Sequence, residues 1–425
     1  MATVSGTHCF ESADLGATMR GVGPRLPRGG TEPMSSQSKP WLCRPTHALV
    51  AIVLAGAIVI PCLSAGSVPD ATGSVTTGPE LDYQSSVVRV DPTGRLLLVF
   101  ERIDAASFYG DLWVTWSDDE GHSWATPQAI VDSALNERHP ALVQLAPDSF
   151  ALFYLVDETG GGSYRIHRAI SSDGAGWTEM GAVDLGWASF GEINPAVVHE
   201  GSGVLTMTYQ RSGAYIARSL DGGATWDLLQ TPVSSGWAAL PRVAFRPSDG
   251  AYLVTYQINP SGNNDLDVVA KTSKNPYDWS GPEVPISDDV NSHDSRPMVL
   301  PGGGFAVVFA RQTVSAFDVH YRTSCDGVVW DQRVQVTDDP SRYDTQPHLL
   351  AHLDPGRAIL TWSHQVSADP YVDHDVLIET DLEILGCVFC DGFESSDTST
   401  WGDAVPERRA CQDPWNLRSV MNDSR

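Results

Sequence analysis

The chain has 425 residues, 19% of them charged and 42% hydrophobic, and a formal net charge of −26. That apolar content supplies a sizeable core and argues against wholesale disorder. The negative field repels nucleic acid and anionic membrane, so neither is an expected partner, and an acid-recognising site would need arginines of its own. With 38 glycines, 28 prolines and 13 tryptophans, and no helical periodicity beyond the N-terminus, the composition favours many short strands joined by tight turns.

Residues 1–66 read as an N-terminal extension and signal peptide outside the fold. Ala48 to Ile60 is an apolar run preceded by Lys39, Arg44 and His47 and followed by the small-residue region Leu63-Ser64-Ala65. Met34 is a more ordinary start for such a segment than Met1. An uncleaved signal anchor is the alternative, but the run is short for a span and is interrupted by Pro61. Export to the secreted, periplasmic or cell-envelope space is therefore expected, with no membrane contact after cleavage. Cleavage near Ala65 leaves Cys325, Cys387, Cys390 and Cys411, as a disulfide or as free thiols; no second pair or nearby histidine completes a zinc site around Cys387 and Cys390.

From residue 80 to 385 one pattern repeats. Val87-Val-Arg-Val leads to Leu96-Leu-Leu-Val-Phe100, and Pro140-Ala-Leu-Val to Ala151-Leu-Phe-Tyr154. Strand openings at Pro195, Pro241, Pro297 and Pro347 likewise lead to strands ending at Tyr209, Tyr256, Phe309 and Trp362. After each aromatic comes a turn of a second kind. Ser117-x-Asp119-x-Gly121-x-Ser123-Trp124 recurs as Ser219-x-Asp221-x-Gly223-x-Thr225-Trp226, with shorter copies ending at Trp177 and Trp330 and a degenerate one at Trp279. These tryptophans lie 49 to 53 residues apart, the size of one four-stranded propeller blade. Six openings predict an all-β, six-bladed β-propeller of four-stranded antiparallel blades, the last lacking the turn tryptophan because it closes the ring. Within each Asp-box turn the Asp and Ser/Thr are expected to bond backbone, the Gly to turn left-handed and the Trp to pack between strands, a structural role.

Strand direction places a site. Residues just before each opening strand and just after each aromatic strand end share one rim, opposite the Asp boxes. That rim holds Tyr83, Glu137, Arg138, His139, Glu192, Asn194, Asp294, Arg296, Tyr343, Asp344 and Gln346, and, two residues past the aromatics, Arg102, Arg211, Arg311 and His364. A ligand site or a ring of structural ion pairs are both consistent with it.

The Asp boxes and their period resemble the sialidase (neuraminidase) superfamily, also called the BNR-repeat family, over residues 80–385. The segment 386–425, a Cys-containing tail with Phe389-Cys-Asp-Gly-Phe-Glu-Ser-Ser-Asp-x-Ser-x-Trp401, is similar to a C-terminal tail of exported bacterial proteins. The resemblance implies three arginines clamping a substrate carboxylate, with Arg102, Arg211 and Arg311 as the matching positions; Arg138, His139 and Arg296, from their place on the rim, are further candidate substrate contacts. It implies Asp104 or Asp111 as the acid/base, Tyr343 as the nucleophile and Glu192 as its activating glutamate. The sequence departs from the family where the first arginine belongs: the segment reads Tyr83-Gln84-Ser85-Ser86.

Three functions stay open: a glycoside hydrolase of exo-sialidase or diverged type, a non-catalytic propeller binding glycan, glycoconjugate or protein, and a scaffold of the cell envelope. A hydrolase needs two carboxyl groups facing each other about 5 to 10 Å apart. Trp187 and Trp237 are candidate sugar platforms, or packing residues between blades. No cofactor is expected. The acidic loops Asn263–Asp267 and Asp288–Asn291 are candidate calcium turns, more simply read as solvated.

Overall fold

A computed structural model describes residues 73–384, apart from 264, 289, 355 and 370–372. The signal-like segment and the cysteine-containing tail lie outside the described residues. Those residues form 24 strands and no helix.

Four sheets are four-stranded and antiparallel, each made by consecutive strands. The first joins β6 (Glu137–Ala146), β7 (Ser149–Asp157), β8 (Tyr164–Ser171) and β9 (Trp177–Ala182). The second joins β10 (Ile193–Gly201), β11 (Val204–Gln210), β12 (Ala214–Ser219) and β13 (Thr231–Pro232), and the third β14 (Ala239–Arg246), β15 (Ala251–Ile258), β16 (Asp267–Ser273) and β17 (Val284–Pro285). The fourth contains β18 (Ser292–Val299), β19 (Phe305–Gln312), β20 (Phe317–Ser324) and β21 (Val334–Gln335). This is the architecture of a β-propeller.

The remaining strands form one eight-stranded sheet. One half is β2 (Leu81–Arg89), β3 (Leu96–Ile103), β4 (Gly110–Ser117) and β5 (Gln128–Val131). The other is β22 (Asp344–Ala351), β23 (Arg357–Gln365) and β24 (His374–Glu383), completed by β1 (Gly73–Ser74), which pairs with Ile378 and Leu377. A single parallel pair, Leu81 with His374, joins the halves. The strand Gly73–Ser74 lies ahead of residue 80, so the folded region starts earlier than the repeat pattern indicates. The N-terminal chain supplies the outer strand that the last repeat lacks.

Each aromatic strand end is core. Phe100, Tyr154, Tyr209, Tyr256, Phe309 and Trp362 are all buried, packed with valines and leucines of adjoining sheets. The Asp boxes connect third to fourth strands and behave as turn clips. Ser117 Oγ accepts the Gly121 N–H at 2.8 Å, Asp119 accepts the Ser123 N–H at 2.8 Å, and the Trp124 indole donates to the Gly121 carbonyl at 3.1 Å. The Ser219 box repeats these bonds at 2.8, 2.8 and 3.2 Å. Gly223, at φ +85°, has room for no more than hydrogen: a Cβ there would come 2.5 Å from Phe153 Cζ of the preceding sheet.

The first strands of all these units are neighbours in turn: β2 touches β6, β6 touches β10, then β14, β18 and β22, which returns to β2. Each carries the same irregularity. The register slips between Tyr83 and Ser86, Arg138 and Ala141, Ile193 and Ala196, Ala239 and Arg242, His293 and Arg296, and Thr345 and His348. At each slip one residue is left-handed: Gln84, His139, Asn194, Leu240, Asp294 and Gln346, all with φ between 42° and 56°. These are β-bulges, which bend a strand and re-aim its side chains. A side-chain oxygen of a neighbouring sheet receives several of their N–H groups: Glu101 takes that of His139 at 2.9 Å, Gln210 that of Leu240 at 3.0 Å and Gln257 that of Asp294 at 2.9 Å, while within the eight-stranded sheet Gln346 takes that of Gln84 at 3.0 Å.

Candidate functional site

Antiparallel pairing puts the start of each first strand beside the end of the second, so the sequence-derived entry and exit positions do share one rim. Asp82 faces Arg102, Ser292 faces Arg311 and Asp344 faces His364 across β-ladders, and Ile193 faces Gln210, which sets Glu192 near Arg211. That same register makes most rim groups neutralise each other locally. Arg102 grips Asp82 through two bonds of 2.7 and 2.8 Å, Arg311 grips Asp288 at 2.8 and 3.1 Å, and Arg138 grips Glu101 at 3.2 and 3.0 Å. His364 Nδ1 lies 2.7 Å from Asp344, which holds the pKa of the ring up against the effect of burial. Of the three arginines expected to form a carboxylate clamp, Arg102 and Arg311 are each bound to a carboxylate, and Arg211 is bound to Ser189.

The expected catalytic groups fare similarly. Asp104 is an exposed turn carboxylate accepting the Ser107 N–H and the Ser107 hydroxyl, both at 2.8 Å; these bonds hold its pKa down and keep it ionised, unsuited to donating a proton. Asp111 is half-buried on β4 beside Arg102 in register, and burial, then Asp132 and Asp104, raise its pKa. Tyr343 packs its ring on Phe317, 5.8 Å between centroids, and among the described residues its hydroxyl has no hydrogen-bond partner, so the expected glutamate pairing is absent there. His139 is the left-handed bulge residue of β6; burial pushes its pKa down to about 4, so it is neutral at pH 7. In the proposed calcium loops, Asp288 is bound to Arg311 and the Asn291 oxygen accepts the Leu266 N–H at 3.1 Å. Among the described residues no group of three His, Cys, Asp or Glu could hold a metal ion.

Glu192 and Arg211 are different. The Arg211 guanidinium turns away from the strand, donates to Ser189 Oγ at 2.6 Å and lies 4.0 Å over the Trp187 ring. Trp187 is fixed beneath it by an indole bond of 3.1 Å to the Tyr209 hydroxyl and an edge contact with Tyr215, so it packs rather than presenting a free face. Glu192 is buried with Oε1 lacking any hydrogen-bond partner, and burial raises its pKa although Arg211 and Arg165 act against the rise. Beside this pair two aromatic side chains are open to solvent: Phe190, under Arg165 at 4.6 Å, and Trp237, 51% exposed. The chain segments that carry them adjoin. A Cβ on Gly191 would sit 3.8 Å from Arg211 Nε, and one on Gly213 would strike the Gly236 carbonyl at 2.7 Å. The segments that carry Phe190, Glu192, Arg211 and Trp237 thus lie side by side on the rim of β10–β13 and the start of β14. Arg165 and Phe190 escaped the sequence reading because neither sits at a strand opening or aromatic exit.

Below the bulges the first strands enclose a cavity of about 300 Å³. Its walls include Ser86, Ala141 and Ala196 on one side of the ring and Arg242, Arg296 and His348 on the other, each two residues past its bulge. Arg296 was expected at the rim and lies in this cavity instead; Arg242 had no sequence signal beyond its place after Pro241. A further crevice above, lined by Gln84, Asp294 and Gln346, is shared by the same two arginines.

An Asp-box β-propeller with a polar rim and an enclosed channel is the class these features define. Residues 71–367 match the BNR repeat-like domain, and the chain belongs to that family. Its fold is that of sialidase-like β-propellers. A Dyadobacter fermentans protein of unknown function is similar in structure, with 14% identity, TM-score 0.57, and coverage of 72% of this chain and 95% of that one. An α-L-arabinofuranosidase of Fusarium graminearum, solved with an iminosugar inhibitor, has 17% identity and TM-score 0.53 over 70% of this chain and 93% of its own. A Streptococcus pneumoniae sialidase has 11% identity and TM-score 0.55 over 74% of this chain and 69% of its own. No curated protein matches the chain in sequence. The likeness to these structures is one of fold.

Proposed function

We propose that this chain is an exported, six-bladed propeller that recognises glycans on the rim patch of Phe190, Glu192, Arg211 and Trp237. The count of six rests on the two halves of the eight-stranded sheet being separate blades joined by one residue pair, and on the six mutually adjacent first strands. Export is supported by Cys325, which is disulfide-bonded, since such bonds persist in oxidising compartments. The remaining six of the seven cysteines lie outside the described residues.

The observation that carries the glycan reading is an exposed aromatic pair flanking an unsatisfied carboxyl and a guanidinium. Aromatic faces cover the apolar C–H face of a sugar ring, and Arg211 supplies donors to its hydroxyls. An exo-sialidase of the standard kind is disfavoured, because Arg102 and Arg311 are tied to carboxylates and Gln84 stands where the first arginine belongs. Glu192 favours a second reading, a hydrolase of neutral sugars: a buried carboxyl with raised pKa is suited to general-acid work. A glycan array combined with a panel of fluorogenic glycosides, sialosides included, separates these. Array binding without turnover is the expected result; turnover abolished by Glu192→Gln establishes the hydrolase, and neither binding nor turnover removes the proposal.

A further inference from the structure

The channel cavity has a charge arrangement that the glycan reading does not use. Arg242 and Arg296 both line the cavity and the crevice above it, so their guanidiniums sit between the mouth and the channel. Arg242 is 5% exposed and donates only to the carbonyls of Asn194 at 3.3 Å and Pro241 at 3.1 Å. Arg296 has no hydrogen-bond or ion-pair partner among the described residues. The nearby carboxylate is Asp294, and it is already engaged by His293 Nδ1 at 2.8 Å and by the Gln346 N–H. Glu101, one sheet further round, is taken by Arg138 and His139. Opposite the arginines the wall is made of Ser86, Ala141 and Ala196, which leave open volume rather than a counter-charge.

A buried amine or carboxyl without a partner escapes the cost of its charge by shifting its pKa and becoming neutral. A guanidinium does not have that route, because it stays protonated. Arg242 and Arg296 line the same cavity and the same crevice, so two fixed positive charges share one space, and the one carboxylate there among the described residues is otherwise engaged. His139 and His348 add no negative charge.

We propose that the channel is an anion site in which a small oxyanion, of the carboxylate or phosphate type, bridges Arg242 and Arg296 and accepts from their free N–H groups. Guanidinium forks match such oxygens in pairs, and the small side chains of β2, β6 and β10 provide the room. The site is separate from the rim patch, so its failure and that of the glycan reading are independent.

The test uses the purified chain and inorganic phosphate as probe, in equilibrium dialysis at constant ionic strength. A single saturable site is expected, weakened about tenfold or more in Arg296→Met, which removes the charge but keeps much of the side-chain volume. Arg95→Gln, which deletes an exposed guanidinium held by Asp118, leaves the binding unchanged. Arg242→Met gives a second reading of the same loss if Arg296→Met fails to fold. Glucuronate competing with phosphate identifies the carboxylate of an acidic sugar as able to occupy the site; acetate competing where glucuronate does not identifies a free ion, and both results retain the site. Absence of saturable uptake by the unaltered chain, or equal uptake by the folded Met variants, overturns it.

Discussion

The carboxylate of Glu101 receives the Arg138 guanidinium through two bonds, at 3.2 and 3.0 Å, while its Oε2 also accepts the His139 N–H at 2.9 Å. One fully buried side chain thereby ties the second strand of one unit to the bulge of the next. In the corresponding joints Gln210 and Gln257 offer an amide oxygen to Leu240 and Asp294, so the link needs an acceptor more than a charge. Arg138→Ala should lower stability by about 3–5 kcal/mol, because it strands a buried carboxylate. The double substitution Glu101→Gln with Arg138→Met keeps the acceptor, removes both charges and should cost much less. Urea unfolding of the three proteins checks the order.

The Asp-box glycines make a second prediction. Gly223→Ala forces a methyl group against Phe153 of the preceding sheet and strains a left-handed backbone. A loss of about 2–4 kcal/mol is expected. Gly250→Ala, at φ +71° with no atom within 4 Å of the added Cβ, carries only the backbone part, about 1 kcal/mol. Equal losses in chemical denaturation would show that the packing contact contributes nothing.

Glu137 sets a pH dependence. Burial, together with Asp111 and Glu179, raises its pKa to about 7, against the bond from Ser133. The folded chain therefore holds this proton between the ordinary glutamate value of 4.5 and about 7, where the unfolded chain has released it. Its contribution to stability is greatest below that window and declines as pH rises through it. Glu137→Gln should remove the decline, so the stability of the variant relative to the parent rises from pH 4.5 to 7 and is level above. Thermal unfolding across that range decides it.

Much of the fold is legible in the sequence, because a tryptophan recurring every 49 to 53 residues reports a packing contact made once per repeat. The rim is legible for a related reason: alternating strand direction brings Asp82 to Arg102 and Asp344 to His364 without any tertiary knowledge. What that rim does is less readable. Whether an arginine faces a ligand or its own cross-strand carboxylate depends on rotamers, and Arg102 and Arg311 chose the carboxylate. The bulges were invisible as well. Treating Pro297 as equivalent to Pro140, Pro195, Pro241 and Pro347 shifts one repeat by two residues, since Ser295 follows the left-handed Asp294 as those prolines follow their own left-handed residues. Only with that correction do Arg242 and Arg296 fall at the same height in the channel. The outer strand Gly73–Ser74 carries too little pattern to be recognised before its partner β24 is known.

The rim patch is the centre of the functional account, and Trp237 is its most exposed member. The decisive measurement is isothermal titration of an array-selected glycan into the unaltered chain, Trp237→Ala and Arg311→Ala, with thermal unfolding of each as a folding check. The patch predicts that Trp237→Ala weakens binding by about tenfold or more, equivalent to about 1.4 kcal/mol, with little change in stability, while a folded Arg311→Ala binds as the parent does. Unchanged affinity in Trp237→Ala together with lost affinity in a folded Arg311→Ala would contradict the account and move the ligand to the rim of β18–β21.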